Sequence, residues 1–118
     1  MTVYKQNLKV KGSMGVRVMY FLKKCKAINK FGLVSLPKKW RVKLGFEPGT
    51  LVEIRMNRKE IWIYRSHHDE TENQRYISTK GTVTIPAEFR NLLNIDAKAE
   101  FHLYVDEEKQ AFVLKYAS

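Results

Sequence analysis

The sequence predicts a mainly β fold with short helices, built as two similar halves in one chain. Three observations carry this. Residues 28–44 recur, altered, as residues 77–93 at a constant offset of 49 positions. Each copy is followed by two short segments of alternating apolar and polar residues. In each copy a proline sits between a β-like segment and a short apolar-periodic one, the place where its missing N–H costs a helix nothing. The matched pairs are Ile28/Ile77, Gly32/Gly81, Val34/Val83, Pro37/Pro86, Arg41/Arg90 and Leu44/Leu93, with aromatic Trp40 against Phe89. Self-similarity at a fixed period decides how the whole chain is parsed.

Residues 1–22 read as a basic N-terminal extension. Leu8-Lys9-Val10-Lys11 and Val16-Arg17-Val18-Met19 alternate as short strands, with a turn or flexible join at Gly12-Ser13-Met14-Gly15. The first unit covers residues 23–65. Its opening segment reads as a hairpin: residues 26–28 lead in, Asn29-Lys30-Phe31-Gly32 turns, and Leu33–Leu36 returns. Gly32 would supply the positive φ that a tight loop needs. Pro37 to Leu44 is a two-turn helix with Trp40 and Leu44 on one face, and Gly45 is its left-handed cap. Leu51–Met56 and Glu60–Arg65 alternate as strands.

Polar residues 66–73 form the linker, and residues 74–118 repeat the plan. Residues 75–77 lead in, Ser78–Gly81 turns, Thr82–Ile85 returns, and Pro86 to Leu93 is the helix, with Asn94 in the capping place. Glu100–Val105 and Ala111–Leu114 are the closing strands. One extra residue in the last turn would shift the offset to 50, setting Phe112 opposite Trp62 in the alignment. Each unit is about 40 residues, too few to bury a core without disulfides or metal. The two are therefore expected to complete each other as one interlocked body with pseudo-twofold symmetry.

Charge is unevenly spread. The chain carries +10 overall, but residues 1–65 carry +13 and residues 66–118 carry −3. A basic front half points to a polyanionic partner, most often nucleic acid. No apolar run approaches a membrane span. The single cysteine, Cys25, allows no internal disulfide, which fits a reducing cytoplasm. No nucleophile–base set, rigidly paired carboxylates or phosphate-binding glycine loop is present, so an enzyme is not expected. No cofactor is expected either. His67, His68, Asp69 and Glu70 are metal-ligating types, but adjacent histidines in a polar linker lack fixed geometry and supporting hydrogen bonds. Trp40, Trp62, Phe89 and Phe112 sit at inward positions and read as core.

The segments Gly32-Leu-Val-Ser-Leu-Pro37-Lys-Lys-Trp-Arg41-Val-Lys-Leu44-Gly45-Phe46 and Gly81-Thr-Val-Thr-Ile-Pro86-Ala-Glu-Phe-Arg90-Asn-Leu-Leu93-Asn94-Ile95 together resemble the SpoVT/AbrB superfamily. That group includes AbrB-type regulators, MazE-type antitoxins and MraZ. The resemblance covers roughly residues 26–65 and 74–116. It implies a swapped-hairpin AbrB-like β-barrel, formed here as an intrachain pseudo-dimer. It also implies double-stranded DNA as the partner and a sequence-specific transcriptional regulator in the cytoplasm, associated with the nucleoid. A homo-oligomer of pseudo-dimers stays open. So does an antitoxin that binds a toxin and its own operator, although the chain ends just after its last strand, where such antitoxins carry a disordered tail.

Family members bind DNA with basic residues of the first hairpin and short helix. The family often has arginine directly after the hairpin glycine, where this chain has Leu33 and Thr82. The residues expected to contact DNA are Arg41 and Arg90 on the helices; Lys38, Lys39 and Lys43 around Arg41; Lys26 and Arg75 on the lead-ins; Lys30 and Lys80 in the turns; and Arg17, Lys23 and Lys24 before them. An arginine fork can grip a phosphate or the O6/N7 edge of guanine. The competing reading of Arg41 and Arg90 is an ion pair to an acid of the other unit. At the places of Lys38, Lys39 and Lys43 the second copy has Ala87, Glu88 and Leu92, so contact with DNA is expected to be lopsided.

Overall fold

A computed structural model of the chain describes residues 4–9, 16–26, 31–67, 73–93 and 100–116; for 4–9, 16–18 and 26 it describes backbone alone. Among these residues are nine strands and two short helices. They are β1 (Tyr4–Lys9), β2 (Val16–Lys26), β3 (Leu33–Ser35), α1 (Lys38–Leu44), β4 (Leu51–Asn57), β5 (Glu60–Arg65), β6 (Gln74–Tyr76), β7 (Thr82–Thr84), α2 (Ala87–Leu92), β8 (Glu100–Asp106) and β9 (Ala111–Tyr116). The mainly β expectation with short helices therefore holds. No helix among the described residues is long and apolar enough to cross a membrane.

Seven strands form one antiparallel sheet in the order β1-β2-β8-β9-β5-β4-β6. Its edges are β1 and β6, so the described strands make an open sheet and not a closed barrel. The other two strands, β3 and β7, pair only with each other. This corrects the expected local hairpin over residues 23–36. The returning strand Leu33–Ser35 bonds to Thr82–Thr84 of the other copy, not to the strand that precedes it. In the second copy the turn does close locally, with the Ser78 N–H donating to the Thr82 carbonyl at 3.0 Å.

The pairing is symmetric between copies. Val34 lies opposite Val83, its counterpart at offset 49. The flanking bonds are matched too: Leu36 N–H to Gly81 O at 3.0 Å, and Ile85 N–H to Gly32 O at 2.8 Å. In the large sheet β5 lies against β9 with Trp62 opposite Val113. These two are also equivalents, because the hairpin registers Asn57↔Glu60 and Asp106↔Ala111 put two extra residues in the β8–β9 turn. The expected single insertion is thus corrected to two, and Trp62 corresponds to Val113 rather than to Phe112. A local twofold passes through both pairs.

The main core lies between one sheet face and the layer made by the β3/β7 ribbon and the helices. Ile54, Ile61, Ile63, Phe101, Leu103, Phe112 and Leu114 come from the sheet; Val34, Val83, Trp40, Leu44 and Phe89 close it from above. Phe46, fully buried, meets the edge of Phe112 at 5.0 Å. Trp40, Phe89 and Phe112 are core as expected. Trp62 is buried on the opposite sheet face, with Met19, Tyr104, Ala111 and Val113. Alternation explains this: Ile61 and Ile63 face the main core, so Trp62 between them cannot.

The copies differ at their lead-in strands. β2 has 11 residues and runs unbroken through residue 22, the expected boundary of the extension, whereas β6 has 3. Alternation puts Tyr20 and Leu22 on the core face and Met19 and Phe21 on the other; a bulge between Phe21 and Lys23 then shifts the phase, setting Lys23 and Cys25 opposite core residues Leu103 and Phe101. α1 closes on Gly45 at φ 80 as expected, while α2 closes on Leu93 in the right-handed region. The expected turn at 12–15, most of the linker, and Asn94 lie outside the described residues.

Candidate nucleic-acid interface

The ribbon places the site. Its inward residues, Val34 and Val83, are buried, and Leu33, Ser35, Thr82 and Thr84 face outward. Because the two strands run antiparallel across the local twofold, each copy's turn arrives beside the other copy's helix. The Ser78–Gly81 turn, with exposed Lys80, joins Leu36 at the foot of α1; the Phe31–Gly32 turn joins Ile85 at the foot of α2.

At each junction an arginine lies on a glycine of the other copy. A Cβ built on Gly81 would sit 2.6 Å from Cζ and Nη2 of Arg41 and 2.7 Å from its Nε. A Cβ on Gly32 would sit 2.8 Å from Nε of Arg90. Both glycines have positive φ, +78° and +75°. The repeated glycine thus meets two demands, a left-handed backbone and room for a guanidinium. Arg41 Nε also donates to the Leu36 carbonyl at 2.9 Å. Both arginines are half-buried. For Arg41 the described contacts are a backbone carbonyl and a glycine, a structural role different from the ion pair weighed above, and one that leaves the guanidinium next to the Lys80 turn.

Along α1, Lys38, Lys39, Val42 and Lys43 are exposed, and the first turn holds no acid. Lys43 is partly committed: its Nζ meets Glu107 Oε1 at 2.5 Å and lies 4.9 Å above the Trp40 ring. An exposed pair of this kind contributes at most about 1 kcal/mol, so Lys43 can be released cheaply. α2 presents Glu88 in its first turn, with Ala87 and Leu92 exposed. The two ends of the ribbon therefore differ in charge. Lys38, Lys39, Arg41 and Lys80 gather at one; Arg90 stands near Glu88 at the other.

Of the remaining expected residues, Lys23, Lys24 and Arg75 are not brought to this place. Lys23 and Lys24 are neighbours on β2 and point to opposite sheet faces, half-buried and exposed respectively. Arg75 lies on edge strand β6 and donates to the Gln74 carbonyl at 2.7 Å. Arg17 and Lys26 are on β2, but their side chains lie outside the described residues, as does Lys30 entirely. Burial pushes the Cys25 thiol above its ordinary pKa, with Lys23 opposing to a smaller extent. Among the described residues no three metal-ligating side chains cluster, and His68, Asp69 and Glu70 are not among them.

Sequence reasoning missed the arginine–glycine contact. Its signal was present: Gly and Arg recur together, nine positions apart, in both copies. Compared with family models, curated proteins and solved structures, the chain gave no match.

Proposed function

We propose that the protein is a sequence-specific, double-stranded DNA-binding transcriptional regulator, with two SpoVT/AbrB-like repeats acting as an intrachain pseudo-dimer of the swapped-hairpin kind. One observation carries the reading: equivalent strands of the two repeats pair across a local twofold, and beside them one repeat alone sets Lys38, Lys39 and Arg41 next to the other repeat's Lys80 turn. Lysines on an exposed helix and turn tip suit phosphates, giving affinity and position without sequence choice. The outward ribbon residues and the arginines beside them are the groups available to base edges. Because Glu88 stands where the first repeat has Lys39, the favoured DNA is a non-palindromic site gripped more strongly at the α1 end. Such a protein would act in the cytoplasm at the nucleoid.

Selection of bound sequences from a random duplex pool tests this. The wild type should enrich an asymmetric motif, and Lys38→Ala with Lys39→Ala should weaken binding to all duplexes alike. Absence of both enrichment and binding would overturn the proposal.

A further inference from the structure

The repeats agree where the fold requires it and part at the β8–β9 turn, which has four residues (107–110) where the β4–β5 turn has two. The insertion is braced. Its Lys109 N–H donates to the buried Asp106 carboxylate at 3.0 Å. Gln110 takes φ 53°, a region that side-chain-bearing residues seldom adopt. Its Oε1 accepts from Arg65 Nη2 at 3.2 Å. Between this turn and the strands opposite lies a pocket of about 250 Å³, lined chiefly by Glu53, Arg55, Tyr64, Arg65, Lys109 and Gln110.

Two arginines held by neighbours, Arg55 and Arg65, and the exposed Lys109 face one carboxylate there. Arg55 is held in place by Glu53, Nη2 to Oε2 at 2.7 Å, and by the Tyr64 ring, 5.3 Å from its Cζ. Tyr64 stacks in turn on Trp62 at 5.8 Å and 13°. Arg65 is fixed by Gln110 and by lying against Gly45, where an added Cβ would be 3.1 Å from Nη1. The corresponding residues in the other repeat are Tyr104 for Arg55, Lys115 for Tyr64 and Tyr116 for Arg65, so symmetry alone does not account for the cluster.

We propose that this pocket binds a phosphate group. Arg55, whose Nε and Nη2 are engaged by Glu53, and Arg65, whose Nη2 is engaged by Gln110, hold their guanidinium charge in place beside the pocket, and guanidinium N–H groups suit phosphate oxygens. Lys109 adds a mobile third charge from the turn tip. The phosphate could come from a free pyrophosphate or nucleotide, or from a duplex backbone passing the end of α1; only the second source rests on the DNA-binding reading.

Titration of the intact protein with inorganic pyrophosphate, followed by calorimetry, and binding of a fluorescent duplex decide it. Arg65→Gln and Lys109→Ala are compared with wild type. Lys109→Ala keeps the backbone N–H that braces the turn, so it stands if Arg65→Gln fails to fold. Losing one charge-assisted contact should weaken binding about tenfold or more. Saturable pyrophosphate binding that Lys109→Ala weakens so supports a small-molecule source. No pyrophosphate binding, but weaker duplex binding by Lys109→Ala, supports the backbone source. Pyrophosphate binding unchanged in both variants, or neither ligand affected, overturns the proposal.

Discussion

Gly81→Ala tests the cross-repeat contact. Two costs add. At φ +78° an alanine pays roughly 1–2 kcal/mol for a left-handed backbone. Its Cβ would also lie 2.6 Å from the Arg41 guanidinium, far inside contact distance, so Arg41 must swing away and give up its bond to the Leu36 carbonyl. A bond from a charged donor is worth about 1.5–3 kcal/mol. The expected loss is therefore about 2.5–5 kcal/mol, read from urea unfolding. Gly49→Ala is the control: Gly49 has φ +89° with nothing within 4 Å of an added Cβ, so only the backbone cost of about 1–2 kcal/mol applies. In an Arg41→Ala background the Gly81→Ala cost should fall to that same value, a coupling of about 1.5–3 kcal/mol between residues 40 positions apart. Equal costs for Gly81→Ala and Gly49→Ala, or no coupling, would refute the claim that glycine makes room for arginine across the repeats.

Other outcomes follow from the same geometry. Phe112→Ala removes a fully buried ring against Phe46 and should cost about 3–5 kcal/mol in urea unfolding. Cys25 should react with iodoacetamide more slowly than a free thiol at mildly alkaline pH, because its thiolate is disfavoured, and reach the free rate on unfolding. Since its folded pKa is raised, its contribution to stability is complete below the unfolded pKa and is lost as pH rises from there toward the folded value. Glu88→Lys should strengthen duplex binding and make the selected motif more nearly palindromic, measured by anisotropy and by repeated selection.

How much of this was legible depended on whether the signal was local. β4, β5 and β8 alternate along their own length, and Pro37 and Pro86 mark the helix starts, so these elements could be placed from their own residues. The partner of Leu33–Ser35 could not. Three alternating residues satisfy a hairpin with the preceding strand and a ribbon with the other repeat equally well. Phase failed at β9, where Ala111, Phe112, Val113 and Leu114 are all buried because both sheet faces are covered there. A continuous apolar run has no alternation to align, so in sequence aromatic Phe112 falls against aromatic Trp62 and only one of the two inserted residues is legible. The bulge at Leu22 hid the length of β2 in the same way. For the site, charge along residues 28–44 was readable, while the junction of Lys80 with α1 needed the cross-repeat pairing.

The central claim is that cations gathered at the α1 end grip duplex phosphates. Its most direct measurement is duplex affinity against salt concentration by fluorescence anisotropy. If Lys38, Lys39 and Lys80 each neutralise one phosphate, log K should fall with log salt at a slope of about −2.7, roughly a fortyfold loss between about 50 and 200 mM. Lys38→Ala and Lys39→Ala should each lower the slope by about 0.9. Binding that is absent, or that salt leaves unchanged, would contradict the account.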